Sequence, residues 1–459
     1  MKMPVAVAGL KAAAAALMVC ITIQSPLAQT ATPAVTATSI PQRLTLSKAE
    51  DILVARNLPV LAARNGVDIA RAQVLVAGTS PIPSVSYSQT VVNAFDTTED
   101  SGGARFQAVP PLRSGAIGLS YVIERGNKLE LRTRVAQSQV SVAEANVLDT
   151  IRTEIGQLHV SFVTALAARA NLEVYTQNQA TLDDTERLLR TQVRAGGIPE
   201  GDLIRFQANR VQYASDLYNA LTTYEQAAHD VLASLGAKPS DVVRTGAPAD
   251  IPRQLANAPV IIEGDLSAKP KAALDDASLR AGLEMRPDVI AARNALTGAD
   301  NALELARAAR YRDLTLGPSV ARSTNATSVG VSISIPIFTA PLVEANIMVA
   351  AGQRSQAQTQ ADQALLRAQS EFDKAFQTVR LSQDLLQVYT SESLGRAEEA
   401  FTITRRAFER GGQTLLDLLD AQRTLNQTRV AANQARLGYL SALFQLEQAA
   451  GASGIVSLD

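Results

Sequence analysis

Residues 328–338, SVGVSISIPIF, alternate between two kinds of side chain almost without error. Val329, Val331, Ile333 and Ile335 fall on one parity, and serine, glycine and proline fall on the other. Because successive side chains of a strand point to opposite faces, the pattern predicts a β-strand with one apolar face and one face of small groups. Such a strand suits a soluble sheet, and it also suits a transmembrane barrel, whose strands need about ten residues.

Similar alternation predicts three further strands, near residues 84–92, 116–124 and 314–321. The rest of the chain has the spacing of helices. Residues 128–194 contain no proline and a single glycine, Gly156. This run therefore predicts one helix of about 100 Å. The remaining predicted helices cover residues 47–77, 202–235 and 275–310, a run that ends at Arg410, and a run that ends at Gln448. Ser47 and Glu50 have the spacing of a capping box at the first helix start.

The chain contains an internal repeat. GLSYVIERG at Gly118 resembles GVSISIPIF at Gly330, and RAGGIPEGDLIRFQANR resembles ERGGQTLLDLLDAQR. Each unit is predicted to run helix, strand, strand, very long helix, tight turn and long helix. We therefore predict a tandem duplication with repeats at residues 47–236 and 272–451, a Pro-rich linker without a core of its own at 237–271, and a tail at 452–459.

The N-terminus has the pattern of a cleaved secretory signal, with Lys2 and Lys11 before an apolar run from Ala12 to Ile23 and the small residue Ala28 near a polar exit. We predict a signal peptide over residues 1–28 and an extended segment over 29–46. Cys20, the only cysteine, lies inside the signal. A lipid anchor on Cys20 is the alternative, although the bulky Val19 suits lipoprotein processing poorly. The mature chain would then have no disulfide and no thiolate metal site, in a bacterial envelope.

Composition excludes several functions. A formal net charge of -1 without a basic, aromatic-rich face argues against nucleic acid as a partner. His159 and His229 are the only histidines, and neither has a partner at metal-ligand spacing, so both are expected to be packing or surface residues. GxSxG, Walker and HExxH motifs are absent from the sequence. We therefore expect neither catalysis, nor a cofactor, nor a metal centre.

Four strands cannot close a transmembrane barrel, since the smallest barrels need about eight, and open edges are not tolerated in lipid. If these strands cross a membrane, several chains must share one barrel. The alternative is a soluble sheet packed on helices. An ordinary coiled coil would explain the long helices alone, but it would leave the duplicated strand pairs without a purpose.

The mature chain resembles the TolC family of outer-membrane efflux proteins. The resemblance lies in the duplicated unit and in MRPDVIAARN, SVGVSISIPIF and FERGGQTLLDLLDAQRTLNQTR; LSYVIERGNKLELR also resembles the CzcC branch, associated with cation efflux. It implies a mainly α fold with a β-barrel part. Long coiled-coil-like helical hairpins would form a periplasmic α-barrel, and four transmembrane strands per chain would complete a 12-stranded outer-membrane barrel in a homotrimer.

The resemblance also implies a passive exit duct for small molecules or metal cations. It would dock to a periplasmic adaptor and an inner-membrane RND pump, as the outer-membrane part of a tripartite efflux system. A duct for type I protein secretion is one alternative. A secreted coiled-coil structural protein is another.

Asp417 and Asp420 are three residues apart on a predicted helix and share a face. The resemblance implies that they line the tunnel constriction at the periplasmic tip, where six carboxylates of a trimer would attract cations. Alternatively, Asp417 stabilises the helix start after Thr414. Phe408 and Gln413 stand where the best-known family pattern has a tyrosine and an arginine that latch the tip, so that latch is not expected here.

The turns at Gly196–Gly197 and Gly411–Gly412 are predicted to form the adaptor-facing tip. In the first repeat, Asp202 and Arg205 stand in place of the acid pair. They could link two helices, or they could be a solvated surface pair. The apolar parity of residues 329–335 is predicted to face lipid, with Ser332 and Ser334 facing the lumen.

Overall fold

The computed structural model describes residues 40–92, 95–98, 105–108, 112–243, 255, 258–270, 275–323, 326–452, 454–456 and 458. The predicted signal peptide 1–28, Cys20 within it, and most of the predicted segment 29–46 lie outside these residues. So do parts of the predicted linker and tail.

Helices dominate the described residues. They are α1 (Leu46–Arg56), α2 (Leu58–Ala77), α3 (Lys128–Arg194), α4 (Glu200–Ser234), α5 (Asp276–Ala281), α6 (Pro287–Ala308), α7 (Ala340–Val388), α8 (Leu394–Glu409) and α9 (Leu415–Ala450). Helix α3 has 67 residues, as predicted, and so spans about 100 Å. Helices α3 and α4 form the first hairpin; α7 and α8 form the second hairpin with α9, which also packs against α3.

The predicted helix over residues 47–77 is two helices. Asn57 caps α2 by accepting a hydrogen bond from the Val60 N–H at 3.1 Å, and Pro59 lies in the first turn, where a missing N–H costs nothing. The predicted capping box of Ser47 and Glu50 is wrong. Helix α1 begins at Leu46 after Thr45, and Glu50 instead bonds to His159 at 2.6 Å.

Two other predicted helices are interrupted. The run over residues 275–310 breaks after Ala281, where a 3₁₀ turn, Leu283–Met285, leads to Arg286 and to Pro287 at the first position of α6. The run that ends at Arg410 contains a π-turn, Tyr389–Ser393, between α7 and α8. A π-turn accommodates extra residues within a helix, so the second repeat carries an insertion that the first lacks.

The two repeats build the same junction from different residues. The Asn57 amide donates to the carbonyl oxygen of Ser234 in the last turn of α4, at 2.9 Å. The Arg286 guanidinium donates to the carbonyl oxygen of Ala449 in the last turn of α9, at 2.8 Å. Asn57 also donates to Glu154 on α3, and Arg286 also donates to Glu371 on α7. The start of one helix is thereby tied to the end of another at the same place in both repeats, which supports the duplication.

The strands are β1 (Ile40–Pro41), β2 (Arg43–Leu44), β3 (Ser84–Val92), β4 (Phe95–Thr98), β5 (Arg105–Ala108), β6 (Leu112–Ile123), β7 (Val242–Val243), β8 (Ile261–Ile262), β9 (Leu314–Arg322) and β10 (Thr327–Ser334). The four strands that the alternation predicted, β3, β6, β9 and β10, form one antiparallel sheet in the order β10, β9, β6, β3. Strands β4 and β5 form a separate hairpin that the sequence analysis did not predict. Strand β10 ends at Ser334, so Ile335 follows the strand rather than belonging to it.

The described part of the linker packs into the main apolar core. Strands β7 and β8 pair in parallel with β1 and β2, ahead of the first helix. Tyr224 of α4 is fully buried; its hydroxyl donates to the Val260 carbonyl at 3.1 Å and accepts from the Ile262 N–H at 3.2 Å. The described part of the linker is therefore a structural part of the core that the repeats share.

The end of the chain folds back onto α9. Glu447 is buried, and its Oε1 accepts a hydrogen bond from the Gly454 N–H at 2.5 Å. Its other oxygen has no partner among the described residues. His159 lies nearby, with its ring packed against Phe444 at 4.3 Å between centroids. Burial raises the pKa of the Glu447 carboxyl, and the Glu50 carboxylate adds to this.

We expect Glu447→Gln to stabilise the protein at high pH. Because the pKa of Glu447 is raised by folding, ionisation disfavours the folded state progressively as the pH rises above the ordinary pKa of glutamate, about 4.3. Glutamine keeps the oxygen that accepts from Gly454 and cannot ionise. The midpoint of thermal unfolding should rise at pH 8 and should match the wild type near pH 4. Glu304→Gln, on an exposed surface of α6, is the control. A gain of equal size at every pH would contradict the assignment.

Candidate functional site

Both hairpins turn through the same backbone motif. After α3, the Gly196 N–H donates to the Val193 carbonyl and the Gly197 N–H donates to the Gln192 carbonyl. After α8, the N–H groups of Gly411 and Gly412 make the two equivalent bonds. This pattern is the Schellman motif, which needs a left-handed residue just past the helix. Gly196 and Gly411 take that conformation, with φ of 73° and 75°.

Replacing Gly411 with valine is expected to abolish efflux while leaving membrane insertion intact. A β-branched residue at φ 75° is strained by about 1–3 kcal/mol, so the turn must rearrange. Gly412→Ala is the matched control, since its Cβ would lie 3.5 Å from the nearest atom, an ordinary contact. Drug or metal resistance of a deletion strain carrying each variant measures the effect. Full resistance with Gly411→Val would place the functional tip elsewhere.

The helices that follow the two turns begin differently. Helix α9 starts with a capping box in which the Thr414 hydroxyl accepts from the Asp417 N–H at 3.2 Å, and Asp417 accepts from the Thr414 N–H at 3.0 Å. Hydrogen bonds from the Thr414 hydroxyl and N–H hold the pKa of the Asp417 carboxyl below its usual range. Helix α4 starts after Pro199 without a side-chain cap. The helix-start role of Asp417 is therefore present, and the side chain is exposed at the start of α9.

Asp420 lies on the exposed side of α9, one turn beyond Asp417. It lines a groove of about 900 Å³ between α4 and α9, together with Tyr213, Asp216 and Arg423. Burial raises the pKa of the Tyr213 phenol; Arg423 lowers it, and the carboxylates of Asp216 and Asp420 raise it. The structure thus places Asp420 in a polar groove at the contact between the hairpins.

In the first repeat, the two residues at the positions of the acid pair contact each other within one helix. Asp202 and Arg205 are 3.9 Å apart on the same helix, and Arg205 is almost fully exposed. They do not link two helices within the described residues, so the surface interpretation holds.

Phe408 is buried in an apolar cluster near the turns, whereas Gln413 is exposed. We call this set the tip cluster; its buried members are Leu182, Leu189, Phe206, Phe408, Leu418 and Leu419. Both hairpins contribute to it. The sequence analysis missed it, because leucines at helical spacing occur along every long helix of the chain.

Further from the turns, buried amides join α3 to α9. Asn171 pairs with Asn433 at 3.0 Å, and the Gln422 amide donates to Asn178 at 2.5 Å. The Oε1 of Gln422 and the Nδ2 of the nearby Asn426 are buried and bond to no described protein group. This part of the contact between the hairpins is therefore polar and incompletely satisfied.

The two faces of the four-stranded sheet differ sharply. One row of paired residues crosses all four strands as Tyr87, Ile117, Val320 and Val329, and every one of these side chains is exposed. The neighbouring row, on the opposite face, consists of Ser86, Gly118, Ser319 and Gly330.

Val331 and Ile333 continue the apolar face, and Ile335 beyond the strand is also exposed. Strands β3 and β10 are the two edges of the sheet, each with a single partner strand among the described residues.

The described residues offer no metal centre, since no group of three or more His, Cys, Asp and Glu side chains is placed to hold an ion. No helix within the described ranges combines the length and apolar character needed to cross a bilayer.

The comparisons with known proteins agree with one another. The chain is 27% identical over 412 residues to the cobalt-zinc-cadmium resistance protein CzcC of Cupriavidus metallidurans, covering 89% of this chain and 88% of that protein. It superimposes on the CusC crystal structure with a TM-score of 0.67 at 18% identity, covering 89% of this chain and 92% of CusC. It superimposes on the open state of the Neisseria gonorrhoeae MtrE outer membrane channel with a TM-score of 0.66 at 21% identity, covering 90% of each chain.

These likenesses confirm the predicted fold class, with long helices and a β-sheet part in a duplicated arrangement. The sequence model of the outer membrane efflux protein family matches residues 51–237 and 271–452, one segment in each half of the chain. The chain therefore belongs to the outer membrane efflux protein family.

Proposed function

We propose that three copies of this chain form an outer-membrane duct through which a tripartite pump expels its substrates. The four-stranded sheet carries this proposal: one face is apolar and exposed, the other is lined with serine and glycine, and both edges are open. An apolar face of this extent is unfavourable in water and favourable in lipid. Open edges in lipid must pair, so each β10 would join β3 of the next copy in a 12-stranded barrel.

The duplication supports the same assembly for the helices. Helix α4 exposes Ile204, Val211 and Tyr218 at seven-residue spacing. The matching positions of α9 are all buried: Leu419, Asn426 and Asn433. Since α9 packs on the first hairpin of its own chain, α4 would pack in the same way on the second hairpin of a neighbouring chain. Three such contacts close a ring of helices.

The duct would be passive and would catalyse no reaction. Energy would come from an inner-membrane RND pump, and a periplasmic adaptor would dock at the turns around Gly196 and Gly411. Asp417 and Asp420 would line the constriction at that end. The likeness to CzcC, a cobalt-zinc-cadmium resistance protein, favours metal cations within the broader class of small exported molecules.

Purification from outer membranes and insertion into planar bilayers tests this function. We expect a detergent-soluble trimer that dissociates on heating and conducts ions with cation preference. A monomeric protein recovered from the soluble fraction, without conductance, would rule out the duct.

A further inference from the structure

The tip cluster is separate from the main core and joins all four helices at the ends of the two hairpins. Leu182 and Leu189 come from α3, and Phe206 comes from α4. From the second hairpin, Phe408 comes from α8 and two leucines come from α9. Phe206 is 1% exposed and Phe408 is 6% exposed. Two aromatic rings, one from each hairpin, are thus removed from water close to the turns.

The duplication does not repeat this cluster. The register that aligns the two glycine turns matches Phe206 with Ala421 and Phe408 with Val193. It also matches buried Leu419 with Ile204, which is 59% exposed. The cluster therefore forms once in each chain, between the first and second hairpins, and it is not a general consequence of the repeat.

The ion pairs and amide contacts near the turns join the two hairpins less effectively than the tip cluster does. The described ion pairs of this region stay within one hairpin: Glu186 with Arg210, and Glu398 with Arg429 at 2.9 Å. The amide contact around Gln422 is polar and leaves buried atoms without protein partners. Apolar burial in the tip cluster is thus the contact that holds the two hairpins together near the turns.

The cluster also orients the acid pair. Leu418 and Leu419 lie between Asp417 and Asp420 on α9, and both leucines are buried in the cluster. Because side chains on a helix have fixed angular positions, burial of the leucines turns both carboxylates to the exposed side. Loss of the cluster would free this first turn of α9 to rotate.

We propose that the tip cluster, centred on Phe206 and Phe408, is the closure of the periplasmic end of the duct and positions Asp417 and Asp420. This inference rests on the proposed function and adds the means by which the tip stays closed. Apolar burial is not screened by salt, whereas attraction of ions to carboxylates is. Closure and cation preference should therefore respond differently to ionic strength.

The test is single-channel conductance of the full-length trimer with Phe408→Ala. We expect the open fraction to rise by about ten-fold or more at both low and high salt, with trimer assembly unchanged. Leu416→Ala is the matched control, because Leu416 is on the first turn of α9, two residues before the cluster member Leu418, but is 75% exposed and lies outside the cluster. It should behave as the wild type.

Phe206→Ala, on the other hairpin, should open the tip as well, and the double variant should add little, since either change removes the same contact. Phe408→Leu should restore most of the closure. Phe206→Ala replaces Phe408→Ala if that variant does not assemble. Wild-type open fractions in assembled Phe206→Ala or Phe408→Ala trimers would overturn the proposal. Absence of any conductance from the wild-type trimer would instead contradict the proposed function.

A labelling measurement needs no conductance. A cysteine placed at Leu418, which is 3% exposed, should react slowly with a thiol reagent in the wild-type background and at least about ten-fold faster with Phe408→Ala. Equal rates in the two backgrounds would also overturn the proposal.

Discussion

Val331→Arg is expected to prevent trimer assembly, whereas Ser332→Arg is expected to be tolerated. Val331 lies in the middle of β10, pairs with Pro318 and is 73% exposed on the apolar face. An arginine near the bilayer midplane of a barrel costs about 2–4 kcal/mol, and the trimer carries it three times. The yield of heat-dissociable trimer in outer membranes measures the effect.

Ser332 is the control for this change because it is the next residue and faces the other side of the sheet, where its hydroxyl donates to the Gly317 carbonyl at 3.0 Å. An arginine there would project toward water in the barrel. Ile333→Arg, one residue from the strand end, should have a smaller effect than Val331→Arg because the cost falls toward the membrane interface. Equal tolerance at residues 331 and 332 would contradict the barrel.

Asp417→Asn combined with Asp420→Asn is expected to remove most of the cation preference of the channel and its block by multivalent cations. The double change removes six carboxylates per trimer and nearly preserves volume. An asparagine at residue 417 keeps an oxygen that can accept from the Thr414 N–H, so the change separates the charge from the capping-box contact of Asp417. Because Thr414 holds the pKa of Asp417 below its usual range, the block by cations should persist in the wild type when the pH falls to about 4. Reversal potentials across planar bilayers report the preference.

The matched control is Asp202→Asn, which removes a carboxylate at the corresponding position of the first repeat. Among the described residues Asp202 forms an ion pair with Arg205 on its own helix alone, so selectivity should not change. If the double variant keeps both the block and the selectivity, the two carboxylates do not line the ion path.

Local patterns in the sequence were enough to predict the sheet and the long helices. Alternation in β10 and β6 placed the apolar rows on one face, and the observed pairing of Val329 with Val320 keeps those rows in register. The absence of proline between residues 128 and 194 predicted α3 to the residue. The glycine pairs predicted the two turns, in which the structure gives Gly196 and Gly411 a positive φ.

Features that depend on distant contacts were not predicted. The break at Asn57 is stabilised by a bond to Ser234 on another helix, which no local pattern reveals. Glu50 has the spacing of a capping residue, but His159 on α3 competes for its carboxylate. The tip cluster escaped notice because burial of Phe408 depends on which of several similar leucine-bearing faces meet, and the spacing alone does not decide that.

Disulfide cross-linking between β3 and β10 tests most directly the central claim that the open sheet edges meet between chains. Cys20 is the only native cysteine, so pairs can be introduced at Ser84, Ser86 or Ser88 of β3 with Ser328 or Ser332 of β10. A control pair at Gly118 and Ser319 lies on the inner strands β6 and β9, where the two residues face each other and a Cβ at Gly118 would lie 3.8 Å from the Cβ of Ser319. We predict that at least one edge pair gives covalent dimers and trimers in outer membranes, and that the control gives none. The control must first form its disulfide within one chain, which shows that the oxidation works. If every edge pair then stays monomeric, the shared barrel is contradicted.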